Sequence, residues 1–360
     1  MLCFKILSRH CPIYALATFL TSAWLTSAAA EPVTFTNYTY DDGLGDNVVY
    51  GVYADGSTVY AATQGGLSIS TNGGSLFTNN TTASGLGGSA TVHAVYAEGS
   101  TVYAATMTGL GISTNGGATF TNKRTASGLG SNYVNSVYAS GGVIYAATIS
   151  GLSISTNGGT TFVNKTVANS GLAHNDVKGV FADGSTVYAA TEGGLSISTN
   201  SGSSWANYTM TSGLGDDWVD DVYASGGVIY AATFGGLSIS SNGGPSWITK
   251  TEADGLITDW VTGVYVDGST VYAATPLGLS MSTNGGTSWT SYTTANGLGD
   301  DFVFGVYVNG GKIYAATLGG LSIASIPAPV PEIDPAGMGS VLALVTGALG
   351  LIERRRLKIA

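Results

Sequence analysis

From residue 47 onward the chain alternates apolar and polar positions with a period of two, broken at short intervals by turn residues. "NVVYGVYA" (47–54) ends at Asp55-Gly56, and "STVYAAT" (57–63) ends near Gly65-Gly66. "LSIST" (67–71) ends at "NGG", and "SLFTNNT" (75–81) follows. Runs rich in Val, Ile, Thr and Tyr bounded by Gly, Asn and Asp read as strands joined by tight turns. Asp-Gly between two such runs marks a hairpin. The pattern predicts four antiparallel strands in one unit.

The unit recurs along the chain. A Gly-Leu dipeptide opens each copy, at Gly43, Gly85, Gly128, Gly171, Gly213, Gly255 and Gly297, with spacings of 42 or 43 residues. Six copies are complete, and the seventh stops at Ser325, short of its fourth strand. "PVTFTNYTYDD" (32–42) aligns with "TSWTSYTTAN" (287–296), the fourth strand of unit six, so the N-terminal strand should complete the last unit. The expected fold is all-β: a seven-bladed β-propeller over residues 31–325, closed by its N-terminal strand. Closure removes the exposed sheet edges that invite aggregation. A β-solenoid, the competing repeat fold, would need shorter parallel coils without hairpins.

The two ends break the pattern. Residues 1–30 carry Lys5 and Arg9, an apolar run, and Ala28 and Ala30 before Glu31. This is the order of a secretory signal peptide cut by signal peptidase; a retained membrane anchor is the alternative. Cys3 and Cys11, the two cysteines, lie inside it, so the mature chain is expected to have no disulfide and no thiol chemistry. At the other end a Pro-rich linker (326–335) leads into the segment 336–360, an apolar run followed by Arg354, Arg355 and Arg356. The run is at the short limit for a membrane span, and the basic cluster would stay on the cytoplasmic side. Together with Pro331 and Glu332, residues 331–357 resemble the PEP-CTERM sorting signal of bacteria. They depart from it at Ile333 and Asp334, where the usual form is Val-Pro-Glu-Pro. The resemblance implies processing by an exosortase-type enzyme, transient anchoring by the C-terminal helix, and delivery to the cell surface or extracellular matrix. A plain C-terminal anchor is the alternative.

A second pattern sits between the third and fourth strands: Ser-x-Asn-x-Gly-x-x-Phe/Trp. It reads Ser70, Asn72, Gly74 and Phe77 in the first unit, and Asn115, Asn157, Asn200, Asn242 and Asn284 hold the Asn72 place in the next five. An Asx side chain accepts hydrogen bonds from turn amides, and glycine supplies a positive φ. The motif resembles the Asp-box, or BNR repeat, of sialidase-type propellers, with Asn in place of Asp. The whole unit resembles the two-component regulator propeller repeat, echoed most closely at 296–321. Together the likenesses cover residues 32–325. They imply that the hairpin lies on the face away from the active site. The repeated stretch is then a turn, and function belongs where the units differ.

In a propeller the start of the first strand and the loop between strands two and three share one face. The position before the common valine is Val48, Thr91, Tyr133, Asp176, Trp218, Trp260 and Phe302 around the ring. The position before that is Asn47, Ala90, Asn132, Asn175, Asp217, Asp259 and Asp301. The loop contributes Gln64, Met107, Ile149, Glu192, Phe234, Pro276 and Leu318. Aromatic platforms beside carboxylates suit carbohydrate, and also peptides or cationic groups. The candidate ligand residues are therefore Tyr133, Trp218, Trp260, Phe302, Asp217, Asp259 and Asp301, with an extracellular polysaccharide or a matrix protein as partner. Ordinary surface variation in a Tyr- and Trp-rich chain gives the same pattern. Asp220 and Asp221 lie mid-strand, and Lys178 occupies the Asp220 position one blade away, so a Lys178–Asp220 pair across the channel wall is expected.

Charge removes several classes of function. Residues 31–325 hold five Lys and one Arg against nineteen acids, a net −13 that repels nucleic acid and anionic membrane. Sialidases bind the substrate carboxylate with three arginines, and this propeller has Arg124 alone. His93 and His174 are its two histidines, too few for an ordinary zinc site. Paired acids at Asp216–Asp217 or Asp300–Asp301 could serve Ca²⁺, but no EF-hand or nonapeptide spacing accompanies them, so neither metal nor cofactor is expected. No Ser-nucleophile motif or phosphate loop occurs. The expected function is a non-catalytic, exported and surface-sorted binding or scaffold module. A glycosidase or lyase using two carboxylates is one alternative. A sensor-like ectodomain working with a separate signalling partner is the other.

Overall fold

The structure, a computed structural model, describes residues 33–327. The expected signal segment (1–30) and the sorting residues Pro331, Glu332 and Arg354–Arg356 lie outside the described residues. Within them the chain forms seven four-stranded antiparallel sheets, the blades of a β-propeller. Blade one comprises Val49–Asp55, Thr58–Thr63, Gly66–Ser70 and Thr78–Asn80. Blade seven takes Val303–Asn309, Lys312–Thr317 and Gly320–Ser325 from the end of the ring, and Thr36–Tyr38 from its beginning. That last pairing runs antiparallel with Thr36 opposite Ile323 and Tyr38 opposite Leu321.

Burial explains the sequence pattern. Both faces of each blade meet a neighbour, so the second strands read as continuous apolar runs rather than alternating ones. Val59 and Ala61 join the core shared with blade seven, where Tyr314, Ala316 and Leu321 lie. Tyr60 and Ala62 turn to the core shared with blade two. Seven such cores circle the ring. The Ala pairs keep the sheets close, and the Tyr60 position is filled by tyrosine in every blade, buried in all but Tyr188, which is half-buried. The buried threonine that ends each second strand is satisfied locally. Thr63 Oγ1 donates to Gly66 O at 2.8 Å and accepts from Gly65 N at 3.2 Å.

The Gly-Leu opener is a helix stop. A one-turn helix follows each outer strand, and its C-cap is the opening glycine in the left-handed region, with φ 94° at Gly43 and 106° at Gly255. A Cβ on Gly43 would also lie 2.6 Å from Phe77 O, so both conformation and space exclude other residues. The leucine after it is buried in all seven blades.

The Ser-x-Asn-x-Gly stretch is a hairpin turn on the outer half of blades one to six. Ser70 Oγ accepts from Gly74 N at 3.0 Å, and Asn72 Oδ1 accepts from Ser75 N and Leu76 N at 3.1 Å. Ser70 Oγ–H donates to the same Oδ1 at 2.7 Å. Gly74 has φ 94°, and a Cβ there would strike Ile323 Cδ1 of blade seven. The turn therefore shapes its own hairpin and sets the contact with the adjacent blade.

Candidate functional site

Six first strands begin with a fully buried valine, from Val49 to Val303; in blade six the equivalent Val261 lies two residues before the strand Gly263–Asp267. In six blades the ladder slips immediately after it; in blade one Val49 pairs with Thr63 and Gly51 with Ala62. The residue between is a β-bulge, a device that re-aims a side chain at the rim of a barrel or ring. Around the ring the corresponding residues are Tyr50, His93, Asn135, Lys178, Asp220, Thr262 and Phe304, all seven different. Several bridge to the next blade. His93 Nδ1 meets Val134 O at 3.0 Å, Asn135 Nδ2 donates to Val177 O at 2.8 Å, and Thr262 Oγ1 donates to Val303 O at 2.6 Å. Of this ring, the sequence pattern singles out Lys178 and Asp220 alone. The signal of the whole ring was present: a position that never repeats, directly after a valine that always does.

The aromatic candidates meet these bulge residues. Ring contacts run from Phe234 to Trp260 (5.0 Å between centroids), Trp260 to Phe302 (5.9 Å, edge-on), Phe302 to Phe304 (4.7 Å) and Phe304 to Tyr50 (5.2 Å). They continue through His93 to Tyr133. Burial depresses the His93 pKa, so this imidazole is neutral at pH 7. Trp218 and Phe234 are the most exposed members, at 42% and 52%. Met107, Ile149, Leu277 and Leu318 stand exposed on the neighbouring loops; in blade six the exposed residue is Leu277 rather than Pro276.

Lys178 does not pair with Asp220. Its ammonium bonds to Glu192 at 2.7 Å and Asp176 at 3.0 Å, and sits 4.9 Å above the Trp218 ring. Burial acts to lower its pKa, but the two carboxylates outweigh this and raise it; the same contact lowers that of Glu192. Asp220 instead holds two tryptophans. Its Oδ1 accepts from Trp218 Nε1 at 2.7 Å and its Oδ2 from Trp260 Nε1 at 2.9 Å. Desolvation raises its pKa, partly offset by the indole bonds. The two neighbouring acids have different environments. Asp221 is half-buried between blades, where it accepts from Val222 N at 2.8 Å and Val264 N at 3.1 Å, and desolvation lifts its pKa to about 7.

The ring of Asp and Asn has work of its own. Asp217 Oδ1, Asp259 Oδ1 and Asp301 Oδ1 each accept, at 2.7 Å, the first backbone N–H of the adjacent one-turn helix. Asn47, Asn132 and Asn175 do the same in blades one, three and four. Asp216 and Asp300 close turns on Trp218 N and Phe302 N. These acids position the aromatic residues that follow them, and one oxygen of each is engaged in doing so. Among the described residues no group of three or more His, Cys, Asp and Glu is placed to hold a metal ion.

Three positions beyond the bulge lies the floor. Tyr53, Tyr96, Tyr138, Phe181, Tyr223, Tyr265 and Tyr307 form a closed circuit, with neighbouring centroids 4.7–5.0 Å apart. Hydroxyl contacts link Tyr138, Tyr96, Tyr53, Tyr307, Tyr265 and Tyr223 in that order, and Phe181 interrupts the circle. Burial raises every one of these phenols, Tyr96 to about 12, so the belt is uncharged.

No protein-family model matches the chain, and no curated protein matches it. Solved structures do. The extracellular domain of the hybrid two component system BT3049 from B. thetaiotaomicron superposes with a TM-score of 0.71 at 18% identity, over 84% of this chain and 42% of that one. The chain thus spans about two fifths of that ectodomain's length. YCF48 bound to D1 peptide gives 0.65 at 12% identity, over 83% and 99%. An ancestral GH74 enzyme gives 0.51 at 22% identity, over 62% and 34%. At these identities the likenesses speak for the fold alone, a seven-bladed β-propeller.

Proposed function

We propose that this protein is a non-catalytic binding module that takes an extracellular polysaccharide across the mouth of the propeller. The observation that carries the reading is the Trp218–Asp220–Trp260 unit. Two aromatic platforms are fixed by one carboxylate, on a face where every blade differs, in a scaffold that otherwise repeats. Flat indole faces held before the ligand arrives suit the C–H faces of sugar rings, and the fixing lowers the entropy lost on binding. Export, surface sorting by an exosortase-type enzyme and a place in the envelope or matrix belong to the same reading, as does the likeness to envelope ectodomains.

Catalysis is the weaker reading. The likeness to a glycoside hydrolase propeller favours it, but the acids on the face are engaged in backbone turns, caps and indole bonds. Both readings meet in one experiment. The purified protein is titrated with a panel of bacterial polysaccharides while reducing ends are followed. Saturable binding without sugar release is expected, with a Trp218→Ala/Trp260→Ala variant binding at least about tenfold more weakly, or about 1.4 kcal/mol. Release of sugar would make the protein an enzyme. Absence of binding to every glycan would overturn the proposal and turn the search to protein partners.

A further inference from the structure

We infer that the mouth between blades five and six accepts a cationic group, the ammonium of an amino-sugar polymer, against the Trp218–Asp220–Trp260 unit. The inference rests on the glycan reading above and names its ligand class.

Four observations converge. First, Asp220 is half-buried yet forms no ion pair among the described residues; both its oxygens are engaged by neutral indole N–H groups. A desolvated anion without a counter-cation is costly, and a ligand cation would supply the missing charge. Second, an indole that donates its N–H to a carboxylate gains electron density on its ring, which strengthens attraction for a cation over the face. Asp220 does this to two rings at once. Third, the site already shows this mode of binding, because the Lys178 ammonium sits over Trp218 between two carboxylates. That group forms its ion pairs with Asp176 and Glu192 and acts on Asp220 only as a more distant attraction.

Fourth, apart from Lys178 the surrounding charge has one sign. Asp216, Asp217, Asp259, Asp300 and Asp301 flank the aromatic arc, each with one carboxylate oxygen used by a backbone N–H. Such a rim disfavours polyanionic glycans, gives neutral glycans no electrostatic gain, and attracts polymers carrying ammonium groups. Trp218 and Phe234 remain exposed, so the cage is open on its outer side.

The test uses the full protein and two pairs of probes in isothermal titration. One pair is a glucosamine hexamer and its fully N-acetylated counterpart. The other is choline and its uncharged isostere 3,3-dimethylbutanol. The expected result is that the glucosamine hexamer binds at least tenfold tighter than the acetylated one. Choline should compete with it, and the isostere should not. Asp220→Asn and, independently, Trp218→Leu should weaken hexamer binding at least tenfold without abolishing cooperative thermal unfolding. Equal binding of the two hexamers overturns the inference and leaves the glycan reading standing. Choline binding at the Trp pair without binding of any glycan keeps the cation site and overturns the glycan reading. Failure of both probe pairs overturns both. Full affinity in a folded Asp220→Asn variant also overturns the inference.

Discussion

Asp221 shows how one residue can set the pH response of the whole ring. Its equivalents in the other blades are Gly51, Ala94, Ser136, Gly179, Gly263 and Gly305, all small because the next blade's backbone is close. A carboxylate there has its folded pKa lifted to about 7 by burial, above the ordinary value near 4 of an unfolded chain. The folded state therefore binds the proton more tightly than the unfolded state. The resulting stabilisation is complete below about pH 4 and is lost as pH rises to about 7. Since one pKa unit is worth about 1.4 kcal/mol, charging this group costs a few kcal/mol. Asp221→Asn keeps an acceptor for Val222 N and Val264 N but carries no charge. It is expected to raise unfolding free energy at pH 8 by on the order of 2 kcal/mol and to change it little at pH 4. Urea unfolding at the two pH values checks this; an equal shift at both would mean that charge is not the cause.

At the scale of the blade, a polar network recurs that one blade lacks. Ser68 Oγ accepts from Gly45 N at 2.9 Å and donates to Asn79 Oδ1 at 3.2 Å, while Asn79 Nδ2 donates to Gly65 O at 3.0 Å. Blade two has Gly111 at the serine position, and Asn122 Oδ1 is buried without that hydroxyl partner. A Cβ at Gly111 would approach Leu86 and Phe120 at 3.2 and 3.3 Å, a fit that the other six blades achieve with serine against the same Leu and Phe or Trp neighbours. Gly111→Ser should therefore stabilise the protein by about 1 kcal/mol, read as a higher Tm in calorimetry; destabilisation would show that blade two has relaxed around the glycine. Elements of this kind were legible in the sequence because period-two runs, Asp-Gly hairpins and the Gly-Leu stop each have a single local cause. The bulge ring was not. A bulge leaves hydrophobic alternation nearly intact, so Tyr50, His93 and Asn135 resemble ordinary strand residues until the ladder is seen. The roles of Asp217, Asp259 and Asp301 were hidden for a related reason: a carboxylate that caps a turn and one that awaits a ligand look alike in one dimension.

For the whole molecule, the count of strands foretold closure, and Thr36–Tyr38 provides it. Removing residues 33–38 would leave Gly320–Ser325 with an open edge and strip Val33 and Phe35 from the core shared by blades six and seven. The expected outcome is loss of a single cooperative unfolding transition and formation of soluble aggregates, seen by calorimetry and size-exclusion chromatography. A monomeric variant with one sharp transition would show that the ring holds without its clasp. The same clasp has a mechanical consequence. Thr36 and Ser325 leave the sheet on the same side of an antiparallel pair that is three residues deep. A force applied between the two ends therefore peels the pairs one after another instead of shearing them together. Under tension the ring should open at low load and at this blade first, like a zip pulled from its slider.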